Sequence, residues 1–196
     1  MEIVIASNNL HKVEEYRQIL EPLNIKCFSL QDLNINVEFN EIGETFKENS
    51  LIKAKEVAKH TKMAILADDS GLIINSLPGL LGVHSHRFLE NSSYYEKQIE
   101  VLRLLEDKKD RSAYFTTIIT LYNYGNKPIY FKGVCRGKIA YEIEGDKGFG
   151  YDPIFIPDGY EKTMGIYGEE LKNQISHRAR ASKLLIDFLK KEKGLD

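Results

Sequence analysis

The chain has 196 residues, 42% hydrophobic and 29% charged, enough for a sizeable core without disulfides and too apolar for a disordered chain. Its 27 basic and 29 acidic residues leave a net charge of −2 and are mixed along the chain. That balance excludes a broad electrostatic footprint, so neither a nucleic-acid nor a membrane partner is expected and any phosphate must be held locally.

Cys27 and Cys135 lie far apart in no metal-ligand or CxxC spacing. No stretch approaches the ~20 apolar residues of a membrane span, and the apolar run in "MEIVIASNN" is too short for a signal segment. A soluble protein of the reducing cytoplasm is expected. No Pro/Gly/Ser-rich linker divides the chain, so residues 1–196 read as one domain.

In chain order, residues 3–6 read as a short buried strand. A polar "SNN" turn follows, then a helix over "LHKVEEYRQIL" with Val13, Tyr16 and Leu20 on one stripe. After a polar connection, a second helix starts near Phe46, announced by the T-x-x-E pattern of Thr45 and Glu48, with Leu51, Ala54 and Ala58 as its apolar stripe. "KMAILA" reads as a strand that stops at Asp68-Asp69. "YYEKQIEVLRLLEDKK" reads as an amphipathic helix through Ile99, Leu102 and Leu105.

The β-branched and aromatic residues around Gly125-Asn126 predict a hairpin of two long strands. "PIFI" adds a short strand, and "LKNQISHRARASKLLIDFLKK" a closing helix with Ile175, Ala179, Leu184, Leu185 and Phe188 inward. The interspersed helices and strands, hairpin included, give an α/β class: one domain with a long mixed β-sheet flanked by helices.

Five elements carry candidate chemistry. The first turn, Ser7, Asn8, Asn9, Leu10, His11 and Lys12, offers helix N-terminal N–H groups and a lysine to an anion, but lacks glycine, and Ser7, Asn8 or Asn9 equally caps the helix. Glu48 reads as a capping-box residue or a ligand, and Lys53 as a solvated face residue. Asp68 and Asp69 stand between apolar runs where each carboxylate is costly to desolvate. With a distant Glu they suit Mg²⁺, while an Asx-turn is the plainer alternative.

"GDKGFGYDPIF" combines glycines that permit close backbone approach with the flat faces of Phe149 and Tyr151. Lys172, His177 and Arg178 supply donors that suit phosphate or a purine edge, or they are simply solvated.

Together and in this order, the segments "SNNLHKVEE", "GETFKENSLIKAK", "LADDSGL", "GVHSHRF", "GFGYDPIFIP" and "KNQISHRARA" resemble the inosine triphosphate pyrophosphatase family over nearly the whole chain. The resemblance implies an ITPase-like fold and Mg²⁺-dependent hydrolysis of dITP, ITP and XTP to the monophosphate and pyrophosphate. It also implies a homodimer.

Residue by residue, the resemblance implies triphosphate binding by Ser7, Asn8, Asn9, Leu10, His11 and Lys12, Mg²⁺ ligation by Glu48 and Asp69, and Asp69 as proton acceptor. It further implies substrate contacts at Lys53, Ser70, Phe149, Gly150, Tyr151, Asp152, Lys172, His177 and Arg178. Leu81, His86 and "MGIYG" at 164–168 depart from the family's usual pattern. A Maf-type pyrophosphatase for modified pyrimidine nucleotides and a non-catalytic nucleotide-binding module are the competing readings.

Overall fold

The computed structural model describes residues 1–192. Its strands are β1 (Glu2–Ile5), β2 (Lys26–Phe28), β3 (Ala64–Ile74), β4 (Ser112–Tyr122), β5 (Ile129–Ile139) and β6 (Phe155–Pro157). They form a six-stranded sheet in the order β2-β1-β3-β4-β5-β6. The helices are α1 (Leu10–Leu20), α2 (Phe46–Val57), α3 (Tyr94–Leu104), α4 (Met164–Tyr167), α5 (Glu169–Ile175) and α6 (His177–Glu192).

The sheet is mixed, as expected. β1 pairs parallel with β2 and β3, while β5 pairs antiparallel with β6. β4 and β5 are neighbours joined by residues 123–128, a connection too short for the crossover of a parallel pair, so they form the predicted hairpin. Among the described residues no helix is long and apolar enough to cross a membrane.

The described residues form two compact units, one of residues 1–69, 117–133 and 179–192, the other of residues 70–116 and 134–178. In the first unit, Val13, Tyr16 and Leu20 of α1 are buried as predicted and join Ile3, Ile5, Leu66 and Ile119 in one apolar cluster. A second cluster there joins Val4, Ala54, Val57, Ile65 and Ala67. In the second unit Leu72, Val101, Leu105, Tyr151, Ile154 and Phe155 form the core.

Several expectations are corrected. β2 falls within what reads as a polar connection, three residues being too few to show an alternation. β3 does not stop at the aspartates but spans 11 residues, Ala64–Ile74, with Asp68 and Asp69 inside it. Lys12 and Thr117 meet the Asp68 carboxylate there, and the Lys53 ammonium faces that of Asp69. The buried face of α2 is Asn49, Ser50, Lys53, Ala54 and Val57; of the expected stripe Ala54 is buried and Ala58 packs beside it, while Leu51 is only half-buried. Polar groups there meet polar partners: the Ser50 and Thr120 hydroxyls are 2.7 Å apart.

Ile99 of α3 is exposed, because Lys97, Gln98 and Val101 take the inward positions. The closing helix is two helices, broken at Ser176, whose backbone is extended at φ −63°, ψ 161°. α6 then turns Ala181, Leu185 and Leu189 inward, while Leu184 faces solvent. Of the three departures from the family pattern, Leu81 is buried, the His86 carbonyl accepts Lys97 Nζ at 2.7 Å, and residues 164–168 supply α4 with Met164 buried.

Candidate functional site

In the first unit, the turn before α1 both caps the helix and aims a lysine. Asn9 Oδ1 accepts from His11 N at 3.0 Å and Lys12 N at 3.4 Å, and Asn9 N donates to Ser7 Oγ at 3.1 Å. Asn8 Nδ2 donates to the Val37 carbonyl at 3.0 Å. Leu10 and His11 face outward. Lys12, one turn into the helix, carries its ammonium to Asp68 Oδ1 at 3.1 Å.

Asp68 is buried, and its other oxygen lies 3.4 Å from Thr117 Oγ1, which is also 3.2 Å from the Asp69 carbonyl. One threonine thus braces both aspartates. Lys53, expected from its local sequence as a solvated face residue, is buried and donates to Glu41 Oε1 at 2.7 Å, with Asp69 Oδ1 3.5 Å away.

Glu48, by contrast, closes the predicted capping box. Its Oε2 accepts from Glu44 N at 2.9 Å and Thr45 N at 3.0 Å, while Thr45 Oγ1 accepts from Glu48 N at 3.2 Å. Glu41 is therefore the acid that shares Lys53 with Asp69, a residue the sequence reading missed. Asn49 was missed as well. Its Oδ1 accepts from Gly43 N at 2.8 Å, where a Cβ on Gly43 would lie 2.7 Å from that same oxygen.

The electrostatics of this group are unbalanced: Asp68, Asp69 and Glu41 face two ammoniums, Lys12 and Lys53. Burial raises the pKa of Asp69, with Glu41 adding to the rise and Lys53, Lys12 and the Asn49 amide opposing it. Burial alone would lower that of Lys53, but Asp69, Asp68 and Glu41 together push it up, so the ammonium stays charged. Asp69 Oδ2 is buried without a hydrogen-bond partner. A buried carboxylate oxygen of this kind, beside a second acid, fits a hard cation that takes few carboxylates and completes its shell with water and phosphate oxygens. No group of three His, Cys, Asp or Glu forms a protein-only metal cage among the described residues.

In the second unit, Asp152 organises the glycine-rich segment. Its Oδ2 accepts from Phe149 N at 2.9 Å and Lys172 Nζ at 2.8 Å. Gly148 is left-handed at φ +77°, and a Cβ there would meet the same carboxylate oxygen at 2.3 Å. Lys172 Nζ lies 3.7 Å from the Phe149 ring centroid, and the Arg178 guanidinium carbon 6.0 Å from it. Arg178 also places Nη2 3.4 Å from Ser70 Oγ.

Tyr151 is buried, with its hydroxyl donating to the Ser85 carbonyl at 3.0 Å and its ring edge-on to Tyr94 at 5.7 Å; burial holds its pKa well above the ordinary range. Gln98 Nε2 donates to the Gly150 carbonyl at 2.6 Å. His177 stacks on Phe115, centroids 5.0 Å apart and planes 13° apart.

The expected residues accordingly fall into two sets: Ser7 to Lys12, Lys53 and Asp69 in the first unit, Ser70, Phe149 to Asp152, Lys172, His177 and Arg178 in the second. Glu41, Asn49, Thr117, Gln98 and Phe115 are additions from the structure. A signal for Asn49 was present: 49, 50 and 53 are polar at helical spacing with Ala54 and Val57, the pattern of a polar inward stripe. Phe115 and Gln98 sit in runs whose composition is ordinary for a strand and a helix.

The Ham1 family profile matches residues 3–188. The chain belongs to the Ham1 family. Among Ham1 relatives, the dITP/XTP pyrophosphatase of Christiangramia forsetii is 40% identical over 97% of this chain and 100% of its own length. The dITP/XTP pyrophosphatase of Aquifex aeolicus is 38% identical over 97% of each. Among solved structures, the Staphylococcus aureus Ham1 protein superimposes with a TM-score of 0.88 at 37% identity, covering 98% of this chain and 100% of that one. The ITPase-type resemblance and the α/β fold it implies are thereby borne out.

Proposed function

We propose that this Ham1 chain hydrolyses non-standard purine nucleoside triphosphates, dITP, XTP and ITP, to the monophosphate and pyrophosphate. The observation that carries the proposal is the buried Asp69–Lys53 pair, joined by the half-buried Glu41 and leaving one Asp69 carboxylate oxygen unpartnered, in a chain 40% identical over 97% of its length to a dITP/XTP pyrophosphatase.

Water attacks the α-phosphorus, the bond to the β-phosphate oxygen breaks, and pyrophosphate leaves. Asp69 accepts the water's proton, a task suited to a carboxylate whose pKa burial raises above the ordinary carboxylate value. Lys12 and Lys53 supply fixed positive charge to the phosphate oxygens as negative charge shifts to the leaving group. Asp69 and Glu41 would hold Mg²⁺, which would supply neutralising charge to the phosphate oxygens and lower the pKa of water. The proposal puts Glu41 in the place expected of Glu48, because the Glu48 carboxylate is occupied by the helix cap.

In the second unit, Phe149 offers a face to the base, and His177 and Arg178 offer donors that match a 6-oxo group and leave adenine's amine unsatisfied. The family resemblance further supports a homodimer in the cytoplasm. Purified protein is to be incubated with Mg²⁺ and ITP, XTP, dITP, ATP or GTP, and the products separated by chromatography. Monophosphate and pyrophosphate from ITP, XTP and dITP, with ATP and GTP turned over more slowly, is the expected result. Orthophosphate as the product, or equal rates on ATP and ITP, would overturn it.

A further inference from the structure

Within the second unit, an unbroken series of ring contacts leads to His177. Gly137 on β5 has no Cβ, and one placed there would lie 2.8 Å from Cζ of Phe155. That vacancy seats Phe155, which is fully buried and meets Phe115 edge to face, centroids 4.8 Å apart at 69°. Phe115 in turn lies nearly parallel to the His177 imidazole at 5.0 Å. Each ring is thereby held by the next.

An imidazole's second torsion is a broad, soft rotor, so in an open setting its two nitrogens sweep a wide arc. A flat ring stacked at 13° on one face removes most of that freedom and leaves the ring edge, where both nitrogens lie, aimed in a fixed direction. Recognition of a 6-oxo group depends on direction, since a hydrogen bond weakens steeply as its angle closes. An apolar residue of similar bulk without a flat face would fill the volume without offering the imidazole a plane to stack on.

We propose that Phe115 is a positioning residue for base selection: it fixes the plane of His177 so that a 6-oxo purine is preferred to a 6-amino one. The inference rests on the proposed function and adds a determinant of selectivity that touches no substrate. Phe115→Leu removes the flat face and keeps apolar bulk, whereas Phe115→Tyr keeps the face. The readout is the ratio of kcat/KM for ITP to that for ATP, which is insensitive to the fraction of protein folded because both substrates report on the same active molecules.

The ratio is expected to fall roughly three- to tenfold in Phe115→Leu and to stay within about twofold of the unmodified chain in Phe115→Tyr. The His177 ring protons, assigned by their disappearance in His177→Gln, are expected to lose an upfield ring-current shift in Phe115→Leu alone. An unchanged ratio in Phe115→Leu, an equal fall in both variants, or an unmoved His177 resonance each overturns the inference. Absence of any ITP preference in the unmodified chain breaks the proposed function instead, and shows itself before a variant is made.

Discussion

Two buried lysine–carboxylate groups, one in each unit, are built from the same residue types and differ in their balance. Asp152 Oδ2 accepts from Lys172 Nζ and from Phe149 N, the latter in the segment the pair shapes. Lys53 answers to Glu41 and Asp69 together, and Asp69 keeps an oxygen without a hydrogen-bond partner. Burying a carboxylate without full compensation is costly, so a satisfied pair suits a scaffold and an unsatisfied one suits a site that completes itself with a ligand.

The strongest way to break that contrast is to remove the charge from Asp69. Asp69→Asn is expected to lower kcat for ITP by at least about 10³-fold while leaving the circular dichroism spectrum unchanged. A variant with substantial turnover would move the chemistry elsewhere.

Next comes the scaffold pair. Lys172→Met leaves Asp152 buried with one donor fewer and is expected to cost about 3–5 kcal/mol in urea unfolding. Adding Asp152→Leu is expected to recover much of that, because two matched apolar residues leave no buried charge. A single variant as stable as the unmodified chain would deny Asp152–Lys172 its shaping role.

The choice between Glu41 and Glu48 sharpens the first group. Glu41→Gln is expected to raise the Mg²⁺ concentration for half-maximal rate by about 10–100-fold. Glu48→Gln is expected to leave it within about twofold, since glutamine also closes a capping box. The reverse pattern would return the metal to Glu48.

The smallest effect concerns stability. Because burial raises the folded-state pKa of Asp69, the folded chain bears a cost for the carboxylate at neutral pH that vanishes as pH falls below the unfolded value. In chelator at pH 7, Asp69→Asn is therefore expected to raise Tm by about 2–4 °C, with the gain disappearing near pH 4. A loss of stability at pH 7 would mean that Lys53 already offsets the whole cost of burial.

How much of this was legible beforehand depended on whether the determining forces were local. The α1 stripe of Val13, Tyr16 and Leu20 and the Thr45–Glu48 box follow from helix periodicity and end geometry, and both appear as read. The hairpin likewise follows from strand-forming runs around a turn. β3 ran on through Asp68 and Asp69 because their partners, Lys12 and Thr117, come from 56 and 49 residues away. Ile99 and Leu184 point outward for the same reason: Lys97 and Gln98 are drawn in by the His86 and Gly150 carbonyls, and α6 starts afresh after Ser176.

The same limit applied at the site. Asp69 and Lys53 could be singled out from sequence, whereas Glu41 lies in a polar run with nothing to distinguish it from Glu38 or Glu44 until Lys53 is seen to reach it at 2.7 Å. His177 could be singled out as a donor, but its plane is set by Phe115, 62 positions earlier in the chain.

Lys53 has one more consequence, for how the protein is made. A cluster of acids that only a divalent ion could neutralise would leave the nascent chain waiting on cellular magnesium before its centre could close. With an ammonium 2.7 Å from Glu41 and 3.5 Å from Asp69, the chain carries its own provisional counter-charge. Closing this acidic group on folding therefore draws on a charge the chain itself supplies, through Lys53.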